Sequence, residues 1–409
     1  MNIITLVSDL GIGGTQRTAQ NFATNYLRKG HQSIIITPDK SGVRHSQLIS
    51  SGVKVFTLDE FIENNNFNYD IVHVHREGCN GGYSDAIVAT IKELMPDTHL
   101  IETNVFGWSD NTNIGKSFAH HFHVSYWSMW EWLNISKSEN RCSVLPNPID
   151  TTVFYSDKDK GESFRKDFGI PLDAFVIGRV GQAIEAKWTP DIVYIFKEIA
   201  KMNLDVWLLL VGSPPSILSE IRGLDNSLRN RIILIDRIND DSSLLECYNA
   251  MDIFVHSARI GESFGLVIIE AMMCEIPVFS IGNIWRNNAQ YEILSSVDDR
   301  LYCKNRTELL NNIGSIISDK GEMQRIGSIS RKFVLKNYNL LDVTDKALST
   351  FKSIINGEQY INSDARRANI LVKECVRSSI KIKAIILSKI MRSNILAKRA
   401  IRLIKVLRK

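Results

Sequence analysis

Two glutamates eight residues apart, Glu262 and Glu270, form the strongest candidate for a reactive site in this sequence. They lie in the segment ARIGESFGLVIIEAMMCEIPVF, where Glu262 follows an apolar run and Glu270 falls within a helix-like run. Eight positions are just over two helical turns, so both carboxylates can face one site if a helix begins soon after Glu262. The alternative, which stays open, is that one acid caps a helix and the other is an exposed helical acid.

The residues between the two glutamates favour an anion as ligand. Ser263, Phe264, Gly265 and Leu266 would present backbone N–H groups at the start of the expected helix. Such groups, together with the helix dipole, suit a diphosphate.

A glycine-rich turn, GIGGTQR at residues 11–17, stands between the first strand-like run and the first helical run. Gly13 and Gly14 would let a ligand approach the backbone closely, although an ordinary strand-to-helix turn explains them equally well. The turn lacks the G-x-G-x-x-G spacing of a dinucleotide fingerprint, which argues against an NAD enzyme.

The elements that would hold these residues are βα units. Short β-branched runs alternate with helical runs over residues 1–150, and the alternation restarts over residues 151–340 after the polar, proline-containing LPNPID linker. This rhythm is typical of parallel sheets, so we expect two Rossmann-like domains in series, with the ligand in the cleft between them. Residues 341–362 would form a closing helix that packs toward the first domain, and residues 363–409 a separate tail.

Composition limits the class of protein without naming a function. The 409 residues are 44% apolar and 23% charged, as in ordinary globular proteins, and the six cysteines form no C-x-x-C pair. The opening residues indicate a first strand rather than a signal peptide, and no run reaches the length of a membrane-spanning helix. The expected compartment is the cytoplasm.

The segment from Glu262 to Glu270 resembles the E-x7-E motif of glycosyltransferase family 4. The Gly-Gly turn, the Asn147-Pro148-Ile149-Asp150 linker and the end of the Glu270 helix also fall in that family's order, so the resemblance extends to about residue 360. It implies the GT-B fold of two Rossmann-like domains and a retaining transfer of sugar from a nucleotide sugar, here a UDP- or GDP-sugar, with no other cofactor. It also implies that Glu262 lies beside the donor sugar and that Glu270 binds the nucleotide ribose.

The resemblance assigns the diphosphate to a Gly-Arg pair and a lysine about five residues on. Lys187 fits the lysine, but counting back places Gln182 where the arginine would stand, unless Arg179 takes that role. A neutral amide offers a hydrogen bond and no charge. For Lys187 the alternative is a solvated surface lysine.

A second departure concerns the first domain, where family members often have a histidine after the strand equivalent to HLIET. Asn104 occupies that position here and could bond donor or acceptor hydroxyls, but it cannot act as a base. This suits a retaining front-face mechanism, in which the departing phosphate oxygen takes the acceptor proton. No D-x-D pair stands near the expected site, so a metal is not expected, and the histidines at 73, 75 and 120–123 are interpreted as mainly structural.

The tail is strongly basic. Residues 366–409 contain 14 Lys and Arg and one Glu, whereas the other 365 residues contain 35 Lys and Arg and 44 Asp and Glu. Basic residues alternate with apolar ones at helical spacing, which favours an amphipathic helix on an anionic membrane surface over a nucleic-acid arm or a partner-binding helix.

The sequence therefore predicts a hexosyl- or N-acetylhexosaminyltransferase attached peripherally to the inner face of the cell membrane. Its acceptor would be a lipid-linked saccharide in cell-surface polysaccharide or lipopolysaccharide assembly. The alternatives are a GT-B isomerase and a nucleotide-sugar-binding scaffold without activity.

Overall fold

The computed structural model describes residues 1–64, 67–78, 83–136, 139–202, 205–358 and 363–379. The chain divides into two units. Unit 1 comprises Met1–Ile149 and Tyr338–Lys409, and unit 2 comprises Asp150–Asn337.

Unit 1 contains a seven-stranded sheet in the order β3-β2-β1-β4-β5-β6-β7, and every described strand pair in it is parallel. The strands are β1 (Asn2–Leu6), β2 (Gln32–Ile36), β3 (Lys54–Phe56), β4 (Ile71–Arg76), β5 (His99–Asn104), β6 (His120–His123) and β7 (Cys142–Val144). Their β-branched and aromatic residues are buried on both faces, as expected for a sheet covered by helices.

Helices cover both faces of this sheet. They are α1 (Gly14–Arg28), α2 (Val43–Ser50), α3 (Leu58–Glu63), α4 (Tyr83–Leu94), α5 (Asn113–Ser117) and α6 (Tyr126–Ser136). One core cluster includes Val72, Val74 and Leu100, and a second includes Ile71, Ile101 and Phe122. The alternation along the strands therefore assigns successive residues to opposite layers.

Two C-terminal helices complete unit 1. Helix α16 (Leu340–Ile355) buries Val343, Ala347 and Phe351 in the second of these core clusters. Helix α17 (Asp364–Ser379) begins at Asp364, whose carboxylate accepts a hydrogen bond from the Val144 backbone amide at 2.9 Å.

Helix α17 forms the first part of the tail that the sequence assigns to residues 363–409. The apolar stripe of α17 is buried within unit 1, through Ala365, Ala368, Val372, Cys375 and Val376. Those five side chains are covered by protein, whereas Ile370 on the same helix is 48% exposed. Residues 380–409, which carry most of the basic charge, lie outside the described residues. No helix in the described ranges is both long enough and apolar enough to cross a membrane.

Unit 2 contains a second parallel sheet, in the order β10-β9-β8-β11-β13-β15. Its strands are β8 (Phe175–Val180), β9 (Val206–Val211), β10 (Ile232–Ile235), β11 (Ile253–Ser257), β13 (Val278–Ile281) and β15 (Tyr302–Cys303). A separate two-stranded sheet pairs β12 (Gly261–Glu262) with β14 (Asn287–Asn288).

The helices of unit 2 alternate with these strands. They are α7 (Lys158–Asp167), α8 (Asp191–Ala200), α9 (Pro215–Arg222), α10 (Asn226–Arg229), α11 (Asp241–Asn249), α12 (Leu266–Met273), α13 (Ala289–Leu294), α14 (Arg306–Ile317) and α15 (Lys320–Asn337). The predicted fold class, two parallel α/β domains, is confirmed.

Candidate active site

The candidate site lies where the strand order of the unit 2 sheet reverses, between β8 and β11. Open α/β sheets bind ligands outside the carboxyl ends of the strands at such a switch point. Strand β8 ends at Val180 and β11 ends at Ser257, and the loops that follow them carry Lys187 and Glu262, respectively. The topology alone therefore brings these two predicted site residues to one edge of the sheet.

Lys187 and Glu262 form a direct ion pair. The Lys187 ammonium lies 3.1 Å from Glu262 Oε1 and 3.0 Å from Oε2. The lysine side chain is 27% exposed and the glutamate side chain 11%, so the pair sits at the protein surface with the carboxylate on the inner side. The structure thus brings together two residues that are 75 positions apart in the sequence.

A glycine fixes the position of Glu262. Gly261 has φ +69°, and a Cβ built on it would lie 1.7 Å from the carbonyl oxygen of Asn287 in β14. Only glycine allows β12 and β14 to approach this closely. The small sheet therefore holds the backbone of Glu262 against the loop after β13.

The Glu262 carboxylate is ionised at neutral pH. Burial raises its pKa, but the Lys187 ammonium and a hydrogen bond from His256 outweigh burial and lower the pKa to about 2. An ionised carboxylate only accepts hydrogen bonds. Glu262 can therefore receive hydroxyl groups of a ligand, and it cannot serve as a proton donor.

Sequence reasoning missed His256, the fourth residue of β11. Its Nε2 lies 3.2 Å from Glu262 Oε1, and its Nδ1 lies 3.2 Å from the Ser280 hydroxyl. Burial lowers the pKa of His256 to about 4, so the ring is neutral at physiological pH. The available signal was a polar residue near the carboxyl end of an otherwise apolar buried strand, where ligand-binding residues concentrate.

Arg179, one of the two candidates for a diphosphate ligand, has its side chain turned inward. It is 2% exposed, and its guanidinium donates to the carbonyl oxygens of Lys187 at 2.5 Å and Val255 at 3.3 Å. The guanidinium also lies 4.5 Å from the centre of the Trp188 ring. Arg179 therefore holds the backbone of Lys187 in place through its hydrogen bond to the Lys187 carbonyl oxygen.

Gln182, the alternative to Arg179, is exposed. Its contribution to the local structure is its backbone carbonyl, which accepts a hydrogen bond from Trp188 Nε1 at 2.8 Å and one from the Ile184 amide at 2.7 Å. The loop from Gly181 to Trp188 is thereby folded back so that Lys187 projects toward Glu262.

The segment Ser263–Leu266 leads into the N-terminus of α12, as the sequence predicts. Gly265 is the N-cap, with φ +93°, and no side chain of the described ranges caps the helix. The first turn contains no acidic residue, and the Phe264 side chain is buried at 2% exposure. An uncapped, acid-free helix start beside Lys187 and Glu262 is suited to an anion.

Glu270, in the second turn of α12, is buried and faces α11. Its Oε2 accepts a hydrogen bond from the Tyr248 hydroxyl at 2.8 Å. The sequence spacing suggests that Glu262 and Glu270 face one site because both lie near the same helix. In fact Glu262 precedes the helix by four residues, so a helical phase angle does not relate the two side chains.

Three predicted residues belong to unit 1. Gly13 is the N-cap of α1 and Gly14 is its first residue, and the Gln16 side chain folds against Gly13. This turn follows β1 at the point where the unit 1 strand order reverses, between β1 and β4.

Asn104, predicted to bond substrate hydroxyls, is buried and used within its own loop. Its Nδ2 donates to the Trp108 carbonyl at 2.7 Å, and its Oδ1 accepts from the Gly107 amide at 2.8 Å. Gly107 has φ +72° and packs against the Ser128 carbonyl. These contacts assign Asn104 to shaping the loop after β5, because the amide has internal partners on both sides.

A buried ion cluster anchors the same region of unit 1. The Arg76 guanidinium contacts Asp85, Glu102 at 2.6 Å and Asp110 at 2.5 Å, and Glu102 also contacts His121 Nδ1 at 2.5 Å. The cluster connects the loops after β4 and β5. Across the described ranges, no group of three or more His, Cys, Asp or Glu side chains is arranged to hold a metal ion.

Comparison with known proteins shows similarity to glycosyltransferases. Residues 160–333 match the family model described as Glycosyl transferases group 1. The chain is 33% identical over 153 residues to the capsular polysaccharide biosynthesis glycosyltransferase CapM of Staphylococcus aureus, a match covering 36% of this chain and 38% of CapM. It is 25% identical over 211 residues to UDP-Gal:alpha-D-GlcNAc-diphosphoundecaprenol alpha-1,3-galactosyltransferase of Escherichia coli, covering 50% of this chain and 52% of that protein.

The chain thus spans about two fifths of the length of CapM and about half of the length of the Escherichia coli protein. The solved structure of HepE from Anabaena, in complex with UDP and glucose, matches with a TM-score of 0.71 at 16% sequence identity, over 86% of this chain and 100% of HepE. The chain therefore has the GT-B fold of glycosyltransferases, and its unit 2 carries the match to the glycosyl transferases group 1.

Proposed function

We propose that the protein is a retaining glycosyltransferase of family 4, which transfers a hexosyl or N-acetylhexosaminyl group from a UDP- or GDP-sugar to a lipid-linked saccharide. The observation that carries the proposal is the Lys187–Glu262 ion pair at the switch point of the unit 2 sheet, beside the uncapped start of α12.

The donor diphosphate would bind the cationic part of this site. The Lys187 ammonium supplies a positive charge, and the first N–H groups of α12 supply hydrogen-bond donors. Charge that accumulates on the departing diphosphate is stabilised by groups that are already in place. Removing one such preorganised donor typically lowers the rate by about 100- to 1000-fold.

The donor sugar would bind the anionic part. Glu262 is ionised and accepts hydrogen bonds, so it can position sugar hydroxyls while the anomeric carbon becomes electron-deficient. Glu270 would accept a hydrogen bond from the nucleotide ribose, with Tyr248 orienting its carboxylate. In this scheme the departing phosphate oxygen takes the proton of the acceptor hydroxyl. Glu262 and the neutral His256 are not assigned that role, because they hydrogen-bond to each other.

The names of related proteins support the substrate class. CapM is named for capsular polysaccharide biosynthesis, and the Escherichia coli relative is named for transfer from UDP-Gal to a diphosphoundecaprenol-linked saccharide. HepE was solved with UDP and glucose. By analogy, we propose a nucleotide-sugar donor and a lipid-linked acceptor in the assembly of cell-surface polysaccharide or lipopolysaccharide.

A lipid-linked acceptor suits a protein that works at a membrane. Residues 366–409 carry 14 basic residues and one acid, which would attract the anionic inner face of the cell membrane. Because the apolar stripe of α17 is buried, we assign the lipid contact to residues 380–409. The protein would then be cytoplasmic and peripherally attached.

The test is transfer by the purified full-length protein, offered UDP-, GDP- and ADP-sugars with and without a membrane lipid extract, with products identified by mass spectrometry. We expect one sugar nucleotide to be consumed only when lipid is present, and Glu262→Gln to reduce the rate at least about 100-fold. A sugar nucleotide converted to an isomer without lipid would identify an isomerase. Nucleotide binding without any conversion would identify a scaffold, and either outcome would overturn the proposal.

A further inference from the structure

The Glu262 carboxylate has two different partners. Oε1 is shared between Lys187 at 3.1 Å and His256 at 3.2 Å, whereas among the described residues Oε2 has a hydrogen bond only from Lys187, at 3.0 Å. If Lys187 turns to a bound diphosphate, His256 is the partner described here that stays with the carboxylate.

The two partners differ in how firmly they are held. Lys187 is 27% exposed at the end of a flexible side chain, whereas His256 is 1% exposed and lies within β11. Ser280, which holds the other ring nitrogen, is fully buried in β13 and is the direct register neighbour of His256 in the parallel ladder. The sheet therefore fixes the imidazole, while the ammonium can move.

The hydrogen-bond chain also determines which ring nitrogen carries the proton. An ionised Glu262 only accepts, so Nε2 must donate to it. The neutral ring then has an unprotonated Nδ1, which accepts from the Ser280 hydroxyl. Ser280 thus fixes the tautomer that Glu262 requires.

We propose that His256, oriented by Ser280, is a positioning residue that holds the Glu262 carboxylate against the donor sugar while Lys187 leaves it for the diphosphate. This inference rests on the proposed function of Glu262 as the sugar-contacting group. Two functions of the site then depend on different residues. Binding of the nucleotide diphosphate depends on Lys187, whereas positioning of the sugar depends on His256 and Glu262.

The variants His256→Leu and His256→Gln test this separation. Leucine removes the donor, whereas the glutamine amide can place an N–H near the position of Nε2. A hydrogen bond to a charged group contributes about 1.5–3 kcal/mol, so loss of it only in the transition state lowers kcat by about 10- to 100-fold. We therefore expect His256→Leu to lose that factor in sugar transfer, His256→Gln to recover to within about fivefold of the wild type, and both to bind UDP or GDP within about twofold of the wild-type Kd in calorimetry.

Equal losses in the leucine and glutamine variants, or a parallel loss of nucleotide binding, would mean that His256 is a structural core residue and would overturn the inference. Full transfer by His256→Leu would do the same. Circular dichroism and thermal melting establish that each variant is folded before its kinetics are compared.

A second measurement does not need transfer. Nitrogen-15 NMR of the wild-type imidazoles, with His256 assigned through His256→Gln, should show a neutral ring protonated at Nε2, and Ser280→Ala should redistribute the tautomers. A ring protonated at Nδ1 in the wild type contradicts the inference. If the wild type transfers no sugar from any donor, the proposed function fails, and the tautomer still decides whether His256 donates to Glu262.

Discussion

Acidification from pH 7.5 to pH 5.5 is expected to lower the free energy of unfolding of unit 1 by at least about 4 kcal/mol. The cause is a set of buried histidines in its central strands. Burial lowers the pKa values of His75, His120 and His123 to about 3 each. Burial also lowers the pKa of His73 well below its ordinary value.

The sign follows from proton binding in the two states. An unfolded histidine has a pKa of about 6.5, so below that pH the unfolded chain binds protons that the folded chain excludes. The stability that these buried histidines contribute is therefore fully present above about pH 7.5 and is lost as the pH falls from 6.5 toward 3. Between pH 7.5 and 5.5 His75, His120 and His123 each contribute about 1.4 kcal/mol, which gives about 4 kcal/mol for the three, and His73 adds to this in the same direction. This is a large part of the roughly 5–15 kcal/mol that stabilises a typical domain.

Native-state hydrogen exchange measured by mass spectrometry gives the opening free energy of β4 and β6 separately from that of unit 2. The variant to compare is His75→Met combined with His123→Met. Neither ring has a hydrogen-bond partner among the described residues, so methionine leaves no polar group stranded. We expect the double variant to lose about 2.8 kcal/mol less than the wild type over the same pH interval, because two of the titrating histidines are gone, and to be at least as stable as the wild type at pH 7.5. Equal pH dependence in the wild type and the double variant would refute the reasoning.

Three further outcomes are expected. Lys187→Met should weaken UDP or GDP binding about tenfold or more in calorimetry, because a charge-assisted contact to the diphosphate is lost. The control is Glu220→Gln on the exposed face of α9, and an affinity that Lys187→Met leaves unchanged would place the diphosphate elsewhere. Arg76→Met should lower the unfolding free energy by about 3–5 kcal/mol in urea titration, since three buried carboxylates lose their counter-ion, and a loss below 1 kcal/mol would show that the cluster is dispensable. Truncation after Ser379 should abolish co-sedimentation with anionic phosphatidylglycerol vesicles at low salt, whereas equal sedimentation of the truncated protein would contradict the assignment of lipid binding to residues 380–409.

Much of the fold could be predicted because strand-forming runs are short, apolar and separated by turns. Two series of such runs imply two parallel sheets, and the switch-point rule then places the loops after β8 and β11 at one edge. Lys187 and Glu262 are in those loops, so their proximity follows from topology. Topology does not predict which strand residues, such as His256 on β11, lie beside this pair. A fully buried strand is apolar on both faces, so its sequence does not mark the face that each residue occupies.

The departures from expectation concern side-chain direction. Arg179 lies on a strand buried on both sides, and its guanidinium turns inward to the Lys187 carbonyl instead of outward to an anion. Asn104 ends a strand, but its amide closes the following loop. Helix α17 is amphipathic in sequence, but periodicity does not specify whether its apolar stripe packs on protein or on lipid. In the structure the stripe packs on protein, on a surface that includes Trp132 and Val144.

A structure of the full-length protein with a bound UDP- or GDP-sugar would show whether Lys187 and Glu262 receive the donor. We expect a diphosphate oxygen within hydrogen-bond distance of Lys187 Nζ, a sugar hydroxyl on Glu262, and His256 still bonded to Glu262 Oε1. A sugar nucleotide bound elsewhere, with the Lys187–Glu262 pair unchanged, would show that this pair does not bind the donor.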